Sequence, residues 1–472
     1  MPGHTANQAL GHHDLVDGAL GDVLAPIRAQ HPVDLVAHHG LDDGRAPRLT
    51  VTSDSPNLSG PQGLPRHRPV TLALLRDLPD ATVRQKLPRL LAGLDAALVE
   101  RKREARLCLL SLLAGHHVLL LGPPGTGKSL LARSIAGCVR GGRYFEQLLT
   151  EHTHPDELYG PLSIPALERE EYRRLTDGYL PSAHVAFLDE LFEASGPLFA
   201  GLLPVLNERI FHNGRLAEPI PLLGLIAASN ALPSDSARSA FLDRLLVTLA
   251  VEPIRDEARF LEVCCGQREP FQPEGRDQLS VSEIQSLRAE SRQVAFPEPT
   301  RRALLALRRH LVRAGALVSD RRWRWAFELL QTAALTSGRR EVSIVDLLLL
   351  ESCLGSAVSP QCARAAVRAA VDFAEPERSK ARGAWAEVEA ATNMAEELDA
   401  LAPIHARAVS AFRATLCELA VDLDERRVTL AADIESSPWL HDSPALLLSD
   451  MVDARRELAK LRERAECARR PP

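Results

Sequence analysis

Leu90, Leu91, Leu94 and Leu98 fall on one helical stripe that begins near Leu87, and the stretch from Glu100 to Leu113 carries a second amphipathic pattern. Organised structure is expected from there on, because the text before it sustains no period. Residues 1 to about 80 are rich in Gly, Pro and His and hold turn-forming runs such as Ser53-Asp54-Ser55-Pro56-Asn57, so they read as a poorly structured extension. Between about 114 and 255, short apolar runs alternate with longer helical ones, the signature of β-α units and a mainly parallel sheet. Strands are predicted at Val118–Leu121, Tyr144–Leu149, Val185–Leu188, Leu222–Ala228 and Leu245–Val251. Three of them end in polar residues, at the strand ends where open α/β sheets bind ligands. Residues 256–375 pattern as helices alone, including Thr300–Ala314, Asp320–Thr336 and Ile344–Leu354, which predicts a smaller helical domain. The last part, 376–472, predicts long helices at about 380–434 and 444–468 arranged as a hairpin or three-helix coil, with Pro403 ending or kinking the first.

Composition narrows the class. The 472 residues are 45% hydrophobic and 25% charged, which fits a multi-domain globular protein. No apolar run reaches the roughly 18 residues of a bilayer span, and the first residues lack the basic flank and apolar stretch of a secretion signal, so the expectation is a cytoplasmic protein. A net charge of -6 argues against a broad nucleic-acid surface. The eight cysteines are scattered without a C-x-x-C pair, and the pairs His12-His13 and His38-His39 have no cysteine or carboxylate cluster beside them, so neither points to a metal. Lysine occurs only at 86, 102, 128, 380 and 460, against an otherwise arginine-based set of cations. A chain that avoids lysine yet keeps it at 128 suggests a role that arginine does not fill.

Lys128 lies in Gly122-Pro123-Pro124-Gly125-Thr126-Gly127-Lys128-Ser129, a full match to the phosphate-binding loop G-x-x-x-x-G-K-[ST] between a predicted strand and a helix that opens with Leu130. Glycines there let successive backbone N–H groups wrap a phosphate, and the helix end adds its positive dipole. Lys128 supplies a compact charge to the β- and γ-phosphates, and Ser129 offers a hydroxyl to Mg2+. A second apolar strand ends in Asp189-Glu190. After such a loop, the first acid fits a magnesium-holding role with Ser129, and the second a base for the attacking water. A third strand runs into Ser229-Asn230, whose amide suits the γ-phosphate and the lytic water; by itself it is an ordinary turn residue. Arg244, in Phe241-Leu242-Asp243-Arg244, reads either as a surface ion-pair partner or as an arginine reaching a neighbour's γ-phosphate. The second role implies a ring.

In this order the motifs resemble those of an AAA+ ATPase, and more narrowly of the MoxR family and its regulatory ATPase variant A (RavA) branch. The likeness spans about residues 85 to 360. It is carried by Arg106-Leu107-Cys108-Leu109-Leu110, Pro155-Asp156-Glu157-Leu158-Tyr159-Gly160-Pro161-Leu162-Ser163-Ile164, Gly178-Tyr179-Leu180-Pro181, Leu206-Asn207-Glu208-Arg209 and Ser319-Asp320-Arg321-Arg322-Trp323. It implies an α/β P-loop AAA+ three-layer sandwich with a parallel sheet, an all-α lid and, here, an additional coiled-coil-like helical domain. The domains are then 1–80 (extension), 81–255 (nucleotide-binding core), 256–375 (lid) and 376–472 (C-terminal helices). It also implies a homo-hexamer, a hairpin insertion at about 151–180, another around Asn207–Leu216, and Arg321 as the lid residue that touches the γ-phosphate, with Arg322 as the alternative. The first 80 residues have no counterpart in the RavA pattern, and the C-terminal helices lack its strand-rich docking insert.

The expected function is an ATP-hydrolysing, Mg2+-dependent, chaperone-like remodeller of a protein client, with a von Willebrand factor A domain protein as the implied partner. Catalysis falls to Glu190, Asn230, Arg244 and Arg321, nucleotide binding to Gly122–Leu130 and Asp189, and the metal to Ser129 and Asp189. A nucleic-acid motor of the same superfamily and a nucleotide-dependent scaffold are the other classes considered. The acidic balance counts against the motor, and Glu190 with Arg244 counts against the scaffold, since a pure binder needs neither.

Overall fold

A computed structural model of the chain describes residues 79–233, 241–266, 269–354, 359–371, 402–440, 454–461 and 463. The expected extension with its histidine pairs, and the parts at 380–401 and 444–453 of the helices expected over about 380–434 and 444–468, lie outside the described residues. Helices α1 (Pro79–Ala97) and α2 (Lys102–Ala114) lead into β1 (His117–Leu121) and α3 (Lys128–Gly137). There follow β2 (Val139–Arg140), β3 (Tyr144–Leu148), the short helices α4 (Pro155–Tyr159) and α5 (Ile164–Leu167), and β4 (Val185–Asp189). Next come α6 (Gly196–Asn207), a hairpin of β5 (Ile210–Asn213) and β6 (Leu216–Pro219), then β7 (Gly224–Ser229) and β8 (Leu245–Ala250). The remainder is α7 (Glu257–Cys265), β9 (Leu279–Ser280), α8 (Val281–Ser291), α9 (Glu298–Arg313), α10 (Asp320–Thr336), α11 (Leu350–Leu354), α12 (Pro360–Val371) and α13 (Ala402–Ser436).

Five strands form a parallel sheet in the order β3-β4-β7-β1-β8, so the α/β fold class expected from the patterning is the one found. Its central strands are apolar almost throughout because both faces are covered. Val118, Leu120, Phe187 and Ile226 point into one core with α2, α3 and the later helices. Leu119, Ala186, Leu188 and Leu225 point into the other, against Leu198 and Leu202 of α6. Helix α2 stops where Gly115 adopts φ +91° and turns its N–H onto the carbonyls of Leu112 and Ser111, the left-handed cap that only glycine accepts cheaply. That stop aims the chain into β1 and the phosphate loop.

Four expectations are corrected. The insertion at 151–180 is not a hairpin. It comprises α4 and α5, each with proline in its first turn, and a single antiparallel bridge between Leu162 and Arg174. The hairpin near Asn207 exists but begins at Ile210 and ends at Pro219, with Gly214 at φ +65° in its turn. Leu222 and Leu223 extend the apolar run ahead of β7 because they are buried, not because they are strand. The region after 255 also contains β9, whose two residues pair in parallel with β2.

Pro403, expected to end or kink a helix, is the second residue of the described span of α13, and the residues before Ala402 lie outside the described ones. Val409, Phe412, Leu416 and Leu419 of α13 pack on Ala454, Leu458 and Val345. The turn after α13 is anchored by Trp439 Nε1, which donates to Thr336 Oγ1 at 2.8 Å, and by Arg106, which donates to the Pro438 carbonyl at 2.7 Å. Among the described residues no helix is long and apolar enough to cross a membrane.

Candidate functional site

The phosphate loop leaves β1 between two neighbours in register, with Leu121 beside Ser229 of β7 and Ala250 of β8. Gly122 follows so closely on Val251 that a Cβ would sit 2.1 Å from the Val251 carbonyl oxygen, which excludes any side chain there. Gly125 and Gly127 have φ of +81° and +84°, and open space surrounds them. Gly127 precedes α3 with no side-chain cap, so the first amides of that helix face the hollow of the loop. Thr126 Oγ1 closes the loop by donating to the Pro123 carbonyl at 2.9 Å.

Lys128 is 6% exposed and donates to the carbonyls of Gly122 (2.6 Å) and Pro123 (3.2 Å) and to Asn230 Oδ1 (3.4 Å). A phosphate oxygen would be a stronger partner than either carbonyl, being charged. The amide of Asn230 in turn donates from Nδ2 to Glu190 Oε1 at 2.7 Å. Lys128, Asn230 and Glu190 are thus one hydrogen-bonded chain across the carboxyl ends of β1, β7 and β4. Glu190 sits at φ +52°, a left-handed conformation that a residue with a side chain adopts at a cost of about 1–3 kcal/mol. Its N–H meets Asp189 Oδ1 at 3.0 Å, which fixes the first acid as the backbone turns the second toward Asn230. Ser129 stands in the first turn of α3. Ser129 and Asp189 offer a hydroxyl and a carboxylate, the hard oxygen donors that suit Mg2+.

Beside the loop lies an apolar cleft of about 110 Å³ lined by Leu98, Val99, Gly127, Leu130, Ile254 and Val263. Leu130 is one of its walls. Leu98, Val99, Ile254 and Val263 carry no local motif that singles them out in the sequence, since they come from the ends of α1 and β8 and from α7 and meet only in the fold.

Arg244 and Arg321 are not brought to Lys128 within the chain. Arg244 precedes β8, whose first residue, Leu245, pairs with His117 at the start of β1. The phosphate loop leaves the far end of that strand, about 15 Å away for five residues. Arg321, 46% exposed, stands 3.8 Å from Asp243, whose other oxygen accepts from Ser319 Oγ at 2.7 Å. Both arginines therefore share one end of the sheet. Arg322 is 1% exposed and donates to the carbonyls of Cys353 (2.5 Å), Leu242 (3.1 Å), Leu245 (3.0 Å) and Leu246 (2.7 Å). Burial lowers its pKa from the usual guanidinium value. It is a tie between the helical domain and the segment that carries Arg244, with four of its five N–H donors spent on buried carbonyls, so it is not placed to reach a phosphate. An Arg322→Ala variant is expected to lose about 3–5 kcal/mol of stability, as buried charged networks do when one member goes. Urea denaturation measures this, and a loss under about 1 kcal/mol would show that the four carbonyls do not need it.

Residues 85–289 match a family described as the MoxR domain in the MoxR-vWA-beta-propeller ternary systems, and residues 300–363, α9 into α12, match an AAA lid domain. An uncharacterized protein of Methanocaldococcus jannaschii is 36% identical over 269 residues, covering 57% of this chain and 70% of that protein. Protein MoxR of Paracoccus denitrificans is 30% identical over 175 residues, 34% of this chain and 48% of its own. A crystal structure from Cytophaga hutchinsonii, of a protein assigned as an ATPase, superposes with a TM-score of 0.51 at 16% identity over 61% of this chain and 95% of that one, a likeness of fold.

Proposed function

The chain belongs to the MoxR family of AAA+ ATPases, and from that premise we propose that it hydrolyses ATP with Mg2+ in a ring of identical copies, a homo-hexamer, and couples hydrolysis to remodelling or maturation of a protein partner. The observation that carries this reading is the chain Lys128–Asn230–Glu190 beside an open glycine loop. Lys128 neutralises the β- and γ-phosphates, Asn230 orients the attacking water, and Glu190 takes its proton. Mg2+, held by Ser129 and Asp189, would spread charge off the transferring phosphoryl group. The apolar cleft beside Leu130 and Val99 offers adenine a surface to pack on.

The position of the arginines supports the ring. The end of the sheet that bears Arg244 and Arg321 is the wrong one for the chain's own phosphates, and an arginine has to be near the γ-phosphate for fast turnover. A second copy, related by rotation, is the simplest source of both. A von Willebrand factor A domain protein is favoured as the partner because the matching family is described from systems that contain one. The likeness to the RavA branch is carried by stretches such as Pro155–Ile164 and Ser319–Trp323.

The test is Lys128→Ala. Two charged hydrogen bonds of about 1.5–3 kcal/mol each would be lost, so ATP affinity is expected to fall by at least about a hundredfold. Titration with a fluorescent ATP analogue reads this. Undiminished tight binding would remove the phosphate-loop assignment, and with it the function proposed.

A further inference from the structure

We infer that Glu100 and Arg101, at the junction of α1 and α2, form a clasp that positions the phosphate loop and the base cleft together and so sets nucleotide affinity. The inference rests on the ATP-binding reading above. Arg101 is 7% exposed, and its guanidinium donates to backbone carbonyls from three places: Thr126 in the phosphate loop (3.3 and 3.4 Å), Glu100 (2.8 Å) and Glu252, just past β8. Glu100 faces the other way. Its two carboxylate oxygens accept the N–H groups of Arg255 (2.9 Å) and Asp256 (3.0 Å), the residues that open α7, and those bonds hold its carboxyl below the usual carboxylate value. To do this Glu100 takes φ +52°, a conformation its side chain disfavours. A surface pair held only by mutual charge would need neither the strain nor the burial.

The geometry gives each contact a consequence. A peptide unit is planar and trans, so its carbonyl and its N–H point in opposite directions. Arg101 draws the Thr126 carbonyl outward, which turns the Gly127 N–H of the same unit inward, toward the phosphate cradle. Gly127 can follow because its φ is +84° and nothing crowds its Cα. Glu252, Arg255 and Asp256 bracket Ile254 and lead into the helix bearing Val263, two walls of the base cleft that Arg101 also lines. One dipeptide therefore registers the phosphate-binding amides against the surface that takes the base. Neither contact touches the reacting atoms; these are positioning residues.

The role is tested with full-length Arg101→Ala, Arg101→Lys and Glu100→Ala, by titrating fluorescent ATP and ADP analogues and by steady-state hydrolysis. Arg101→Ala is expected to weaken ATP and ADP by the same factor, about tenfold to a hundredfold for lost charged hydrogen bonds, raising KM with kcat within about twofold. Arg101→Lys should not rescue it, since one ammonium does not reproduce the planar fork that reaches three carbonyls. Glu100→Ala removes no buried cation, so it remains testable if Arg101→Ala fails to fold, and a smaller, equally nucleotide-independent loss is expected of it. A role in stability alone would lower the thermal midpoint and leave both affinities intact, and that result overturns the inference. So does a loss confined to ATP, which would put Arg101 on the γ-phosphate, or a fall in kcat at saturation. If the parent chain binds neither nucleotide, the ATP reading itself has failed.

Discussion

The Glu190→Gln variant is expected to bind ATP as the parent does and to hydrolyse it about 10²–10⁴ times more slowly, the usual contribution of a placed general base. The substitution is conservative where the structure is demanding and radical where the chemistry is. Glutamine keeps an oxygen to accept the bond from Asn230 Nδ2, now 2.7 Å from Glu190 Oε1, and it keeps the length that crosses from β4 to β7. It gives up only the capacity to take a proton. The backbone at φ +52° is no worse for glutamine than for glutamate, so the local fold should hold. Single-turnover hydrolysis separates the outcomes: ATP should remain bound and intact through many parental turnover times. Turnover near the parental rate would move the base to another residue, and loss of ATP binding would make Glu190 a structural element of the loop.

Chemistry that depends on short contiguous text was the most legible part of the molecule. The phosphate loop, Asp189-Glu190 and Asn230 each follow an apolar run, and such runs stay recognisable because a parallel sheet buried on both faces tolerates little else. The structure brings these residues into one hydrogen-bonded set. What the sequence hid was set by distant partners. Arg322 resembles a phosphate sensor in one dimension, yet in three it is consumed by four carbonyls from β8 and α11 and the turn before β8. The family resemblance implies a hairpin at 151–180, but Pro155 and Pro165 supply helix starts instead, and only one bridge forms. The base cleft and the Glu100–Arg101 clasp join the α1–α2 junction to residues some 150 positions later, a separation that no local pattern records.

The Arg244→Ala variant is expected to retain ATP binding within a few-fold and to lose about 10³–10⁵ in hydrolysis rate, the range for an arginine supplied to the γ-phosphate. Binding survives because Lys128 and the loop amides lie at the other end of the sheet from Arg244. The decisive measurement is a mixture with Glu190→Gln. Each variant alone is inactive, but they fail for different reasons. A ring interface in which the Arg244→Ala copy provides the nucleotide and the Glu190→Gln copy provides the arginine contains every required group. Random assembly of equal amounts gives such interfaces a frequency of about one in four when contacts run head to tail, so activity should recover to about a quarter of the parental level. Arg321 shares that end of the sheet, near Asp243, so Arg321→Ala should be rescued by the same partner. Continued inactivity of the mixture, with mixed assembly verified by a tag on one variant, would mean that the arginine serves its own chain's nucleotide. The sheet geometry then demands a rearrangement of about 15 Å in the segment that Arg322 now ties down, and the proposal of shared sites would have to be given up.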